Sequence, residues 1–190
     1  MMNKLYNFVY RGILTDASLD TAGRQRRRHF GSEDANRLRE CLSFDMLDND
    51  QLADAQRMAI VYTAIHCFEN MVRQFVTKAM AEWHGEGWWN HVPEKIQKRV
   101  KTRMEEDANF RYHGARGANE IMYCDFGDLS SIAVVNWDVF ADVLADMGWA
   151  KAILDVLEKS RNIVMHGGML SAEDIERVGM NIRDWIRQAG

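Results

Sequence analysis

The sequence predicts an all-α fold. Among 190 residues there is one proline, Pro93, where average usage of about 5% would give roughly nine or ten. Turn-rich β folds draw on Pro and Gly, whereas helix interiors exclude Pro because it lacks an N–H and clashes with the preceding turn. Apolar residues recur at three- and four-residue steps over most of the chain, the period of an amphipathic helix. With 47% apolar and 27% charged residues, the composition is that of a globular chain long enough to bury a core without disulfides or a structural metal. The expected architecture is a bundle of four to five substantial helices with short connections, preceded by a short helical N-terminal appendage.

Residues 1–47 form that appendage, and residues 48–190 the helical domain. The appendage carries two short apolar pieces, around Leu5 to Leu14 and Leu38 to Leu47, separated by the polar stretch SLDTAGRQRRRHFGSED. From about Leu52 to Trp83 there is neither Gly nor Pro, and Met58, Tyr62, Ile65, Val72, Phe75, Val76 and Ala79 lie on one stripe of a single long helix. Gly85 and Gly87 end it. Pro93 suits the first turn of the next helix, to about Asn109, because the missing N–H costs nothing there. After the loop with Gly114 and Gly117 comes YCDFGDL, in which Asp128 reads as the N-cap of a segment starting at Leu129. Trp137, Phe140, Val143, Leu144 and Met147 give another helical stripe, and Trp149, Ile153, Val156, Leu157 and Val164 the next, which stops at HGG. Ser171 and Asp174 have capping-box spacing for the last helix, which places Ile175, Val178, Ile182, Trp185 and Ile186 on one face.

The formal net charge of −4 argues against a globally basic nucleic-acid-binding protein, yet the charge is segregated. Residues 1–47 sum to +2 and 92–116 to +3, while 48–91 sum to −3 and 117–160 to −6. Any contact with a phosphate backbone is therefore local. Two segments are candidates: the turn with Arg24, Arg26, Arg27 and Arg28, and the helix with Lys95, Lys98 and Arg99, followed by Lys101 and Arg103. A solvated basic turn and a solvated helix face are the alternative readings of both. Cys41, Cys67 and Cys124 are odd in number and lack C-x-x-C spacing, which disfavours a disulfide framework or a zinc site. The apolar run between Lys4 and Arg11 is too short for a signal peptide, and no stretch nears the roughly 20 apolar residues of a membrane span. A cytoplasmic protein without membrane attachment is expected. The DFG triplet does not make a kinase, because a Gly-rich phosphate loop, a strand lysine and HRD are missing.

Two places carry chemistry. Glu69 sits in the apolar stripe of the long helix, between Ile65 and Val72, where a carboxylate must find a partner. Arg73, four residues on, is in the favourable Glu-to-Arg order. The pair is either an intrahelical bridge at the edge of the stripe or the support of a site. The second place is EKSRNIVMHGG. Asn162 and His166, four residues apart, fall within roughly 40° on one helix face, and Arg161 is long enough to reach the same space. A guanidinium, an amide and an imidazole suit phosphodiester chemistry: histidine moves a proton near neutral pH and arginine stabilises charge developing on phosphoryl oxygens. At the last turn, the helix dipole favours the imidazolium.

Arg161, Asn162, three further residues and His166, at the end of the penultimate helix of an α-bundle, resemble the signature of HEPN domains. VYTAIHCFENMVRQFV on the long helix, YCDFGDLSSIAVVNWDVF before the signature and HGGMLSAEDIERVGMNIRDW after it are similar to the Swt1-type HEPN group, over roughly residues 50–190. The resemblance implies a HEPN-like bundle. It also implies a metal-independent endoribonuclease without cofactor, its composite active site assembled at a homodimer interface, leaving 2',3'-cyclic phosphate and 5'-hydroxyl ends. Carried over, Arg161, Asn162 and His166 are the catalytic set, and Glu69 and Arg73 the supporting polar pair on the facing helix. A toxin-like effector of defence or stress response, held by an inhibitory protein partner, fits the same resemblance. Gly167, Gly168 and Met169 stand where HEPN toxins regulated through tyrosine modification carry a tyrosine, which argues against that mode of control. Some HEPN domains are non-catalytic interaction or dimerisation modules, and that alternative stays open. A DNA-binding regulator built on the basic turn lacks a recognition helix.

Overall fold

The computed structural model describes residues 30–110, 112–144 and 146–189, together with the single positions 15, 18 and 21. Arg24, Arg26, Arg27 and Arg28 lie outside the described residues. The chain divides into two units, Met1–Asp48 and Asn49–Gly190. In the first, α1 (Ser32–Cys41) starts where the Gly31 N–H donates to Asp34 Oδ2 at 3.3 Å and is followed by a short 3₁₀ turn, Phe44–Met46.

The second unit begins with α2 (Asn49–His84), 36 residues and about 54 Å long. Met58, Val61, Ile65, Phe68, Glu69, Val72, Val76 and Met80 are its buried positions, the three- and four-residue spacing of one apolar stripe. The helix ends at Gly85, whose φ of +72° is open to glycine without strain. A 3₁₀ segment, Gly85–His91, packs Trp88 and Trp89 against the core and leads through Pro93 into α3 (Glu94–Asn109), which buries Ile96 and Val100.

Helix α4 (Phe126–Val135) corrects the expected cap. Asp125 is the N-cap, its Oδ1 accepting the Asp128 N–H at 2.9 Å, and Asp128 is the reciprocal partner, its Oδ2 accepting the Asp125 N–H at 3.2 Å. The reason is tertiary. The Asp128 side chain is fully buried and meets two arginines of α3, so it cannot serve a helix starting after it. The stripe from Trp137 to Met147 is a second difference. Only Trp137–Phe140 is helical (α5), and the chain turns before Asp146 caps α6 (Met147–Met165) by accepting the Trp149 N–H at 2.6 Å. Asn136, whose Nδ2 donates to the Ile132 carbonyl at 3.0 Å, and Asp146 offer the backbone local partners that compete with a continuous helix. Phe140 and Leu144 still reach the core.

Helix α7 (Ala172–Ala189) opens with the expected box: the Asp174 N–H donates to Ser171 Oγ at 3.1 Å and the Ser171 N–H to Asp174 Oδ2 at 3.3 Å. Val178 and Trp185 are buried, whereas Ile186, assigned to the same face, is half exposed. Trp185 is the hub of the bundle. Its ring meets Phe68 and Phe75 of α2 edge-on, at centroid distances of 5.7 and 6.0 Å, and stacks on Trp149 of α6 at 6.0 Å. Phe126 and Phe140 extend the cluster into α4 and α5, so the aromatic core fixes how the long helix, α6 and α7 sit together. The described residues contain no strand, and none of their helices is long and apolar enough to cross a membrane.

Candidate active site

The end of α6 is built by its glycines. His166 is the C-cap, and its N–H donates to the Asn162 carbonyl at 3.1 Å. Gly167, at φ +77°, donates to the Val164 carbonyl and Gly168 to the Ile163 carbonyl at 2.8 Å. That double bond pattern closes the helix and satisfies its last carbonyls. A Cβ on Gly168 would stand 2.7 Å from Ile163 Cγ2 and 2.9 Å from the Ile163 oxygen, closer than side-chain carbons come. Two residues further, Leu170 is buried and its N–H meets Met58 Sδ of α2 at 3.4 Å. The turn is thereby pinned to the core while His166 stays exposed on its rim.

Asn162 and His166 line one open groove of about 540 Å³, with Asp155, Glu158, Lys159 and Ile163 completing its walls. Arg161 is half-buried beside it and donates from Nη1 to Asn162 Oδ1 at 3.2 Å. The structure therefore brings the amide and the imidazole to one surface, and the guanidinium reaches them through the amide. Sequence reasoning missed Glu158. It stands at i, i+4, i+8 with Asn162 and His166, a spacing that was available to find it. Its carboxyl lies against the start of α4: a Cβ on Gly127 would be 3.2 Å from Glu158 Oε2 and 3.5 Å from Asp125 Oδ1. Burial first, then the neighbouring charges of Asp125 and Asp155, push its pKa above the ordinary carboxylate value; Glu69 adds to the rise and Arg161 opposes it.

Glu69 and Arg73 are paired, with Arg73 Nη2 2.5 Å from Glu69 Oε1 and both side chains nearly excluded from solvent. The same guanidinium donates to the Cys124 carbonyl at 2.8 Å and to Asn70 Oδ1 at 2.9 Å. Arg73 thus ties α2 to the loop entering α4, and Glu69 acts on the groove through its field at Glu158. Because a guanidinium only donates, Asn70 presents its oxygen to Arg73 and its amide nitrogen, at 3.1 Å, to His66 Nε2. Cys124 is buried and its thiol is pushed up to about 12, by burial above all and then by Asp125, which leaves it unreactive.

The basic helix divides by face. Lys95 and Lys98 are exposed, Lys98 beside Glu94 at 2.7 Å. Arg99 instead meets Asp128, and Arg103 donates to Asp125 at 3.0 Å, Asp128 at 3.1 Å and the Tyr123 carbonyl at 2.6 Å. Among the described residues no group of three or more His, Cys, Asp or Glu side chains is arranged to hold a metal ion.

The family model for Swt1-like HEPN matches residues 63–190, from the middle of α2 through α7. The chain belongs to the Swt1-like HEPN family. In this HEPN domain the Arg161–His166 string closes the penultimate helix, with Asn162 and His166 on the groove and Arg161 beside it. No curated protein and no solved structure matches the chain.

Proposed function

We propose that this HEPN domain is a metal-independent endoribonuclease acting as a homodimer, with Arg161, Asn162 and His166 as its catalytic set. One observation carries the reading: an imidazole and an amide face the same open groove, with a guanidinium hydrogen-bonded to the amide. His166 transfers a proton at the ribose 2'-hydroxyl or the leaving 5'-oxygen, Arg161 stabilises the charge gathering on the phosphoryl oxygens, and Asn162 holds Arg161 in place. As the 2'-oxygen forms its bond to phosphorus, the bond to the 5'-oxygen breaks, leaving a 2',3'-cyclic phosphate and a 5'-hydroxyl. The second copy supplies a second signature, and the exposed Lys95 and Lys98 offer charge to the RNA backbone. A toxin-like role in defence or stress response, in the cytoplasm and restrained by an inhibitory partner, completes the reading.

Purified protein incubated with RNA in EDTA tests it. Cleavage is expected, falling by about 100-fold or more in His166→Ala and strongly in Arg161→Ala; intact RNA, or equal cleavage by His166→Ala, removes the claim. The rival reading, a non-catalytic interaction module, draws support from the carboxylates of Asp155 and Glu158 in the same groove, which repel phosphate. It expects the two variants to change assembly without any nuclease phenotype.

A further inference from the structure

We infer that Glu158 is a specificity-determining residue of the groove, where its carboxylate reads the base edge of a guanosine next to the phosphodiester held at His166. The inference rests on the ribonuclease reading and adds a substrate preference to it.

Glu158 and His166 line the same groove, eight residues and about 12 Å apart along α6. That rise sets the two positions apart along the helix, so the imidazole and the carboxylate address different parts of a bound nucleotide. Each acidic neighbour of Glu158 has its own cation: Glu69 has Arg73, Asp125 has Arg103 and Asp155 has Lys151. Among the described residues Glu158 has none within 4.0 Å, and Arg161, one turn on, acts on it only through its field. Around its carboxyl stand Asp155 and Arg161 on α6, Asp125 at the head of α4 and Glu69 on α2, with Lys159 and His166 also on the groove.

A phosphate is repelled by such a carboxylate, so this half of the groove suits a hydrogen-bond donor. Guanine offers two side by side, N1–H and the N2 amino group, which match the two carboxylate oxygens. Adenine and cytosine place one amino group beside an acceptor nitrogen, and uracil places its single N–H between two carbonyls. Ile163, partly buried on the same wall, gives the base an apolar surface to lie on.

The test uses the full chain and pyrimidine oligoribonucleotides carrying one guanosine, compared with the same strands carrying uridine there. The expected result is a kcat/KM roughly ten-fold or more higher for cleavage beside the guanosine, a ratio that collapses in Glu158→Gln, whose amide presents a donor where guanine needs an acceptor. In the unaltered protein the ratio also falls as the pH is lowered and the carboxyl takes up its proton, a readout that needs no variant to fold. Cleavage without base preference, or a preference that Glu158→Gln keeps, overturns the inference and leaves the ribonuclease reading standing. Unchanged preference together with weakened self-association in Glu158→Gln overturns it in favour of a cation from a second copy. No cleavage of any strand removes the ribonuclease reading, and this inference with it.

Discussion

Removing Asp128 tests the electrostatic lock that joins α3 to α4. Its fully buried carboxylate receives Arg103 Nη1 at 3.1 Å and the Asp125 N–H at 3.2 Å on one oxygen, while Arg99 meets the other. Breaking a buried ion pair from one side typically costs about 3–5 kcal/mol, because the remaining charge stays desolvated. Here the cost belongs at the lower end. Arg99 is 41% exposed and returns to water, and Arg103, 24% exposed, keeps Asp125 and the Tyr123 carbonyl. Asp128→Ala should therefore lose about 3 kcal/mol, a fall in Tm of roughly 6–12 °C for a chain of this length. Urea titration followed by far-UV circular dichroism should show a lower midpoint with an unchanged slope. Asp128→Asn, which keeps an acceptor and the shape, should lose less, and Arg103→Ala combined with Asp128→Ala should cost clearly less than the two singles added. An Asp128→Ala protein within about 1 kcal/mol of the unaltered one would refute the reasoning, since the arginines would then be satisfied equally well without the carboxylate.

Two further outcomes follow from the geometry. Gly168→Ala should lose about 1–3 kcal/mol by forcing a methyl group to within 2.7 Å of Ile163 Cγ2 and 2.9 Å of the oxygen that accepts its own N–H; a melt identical to that of the unaltered protein contradicts the close approach. Glu158, whose pKa is raised in the fold, binds its proton more tightly folded than unfolded, so its contribution is fully present below the ordinary value of 4.5 and is lost as the pH rises through the raised one. Glu158→Gln should accordingly melt higher than the unaltered protein at pH 7, the gap closing at pH 4; a variant less stable at pH 7 contradicts the crowding of carboxylates around this position.

What the sequence made legible was local. The long helix followed from an unbroken period, the acid in its stripe stood out because a lone buried charge is costly, and the Ser171–Asp174 box was visible as a spacing. What stayed hidden depends on partners distant in the chain. Asp125 and Asp128 are both acids at cap-like positions, and only Arg99 and Arg103, more than twenty residues upstream, decide that Asp128 turns inward. The Trp137–Met147 spacing correctly marks Phe140 and Leu144 as core, but burial can be met by a short helix and a turn as well as by one helix. For Glu158 the helical spacing was there to read; the approach of the α4 backbone at Gly127, which gives the residue its character, was not.

The count of basic residues on α3 also misdirects in an informative way. Composition gives that segment a positive excess, yet two of its arginines are aimed at the carboxylates of Asp125 and Asp128. Lys95, Lys98 and Lys101 stay on the exposed side of the helix. Of these two, Arg103 holds Asp125 and Arg99 holds the buried Asp128. Arg103 pairs with Asp125, whose charge still acts on Glu158 across Gly127, and Arg73 pairs with Glu69 on α2. The proton affinity of Glu158 is set from three helices at once: Asp155 and Arg161 on its own helix α6, Asp125 at the head of α4 and Glu69 on α2. A change far from the Arg161–His166 string in sequence, at Asp125 or Glu69, reaches the groove through that one carboxyl.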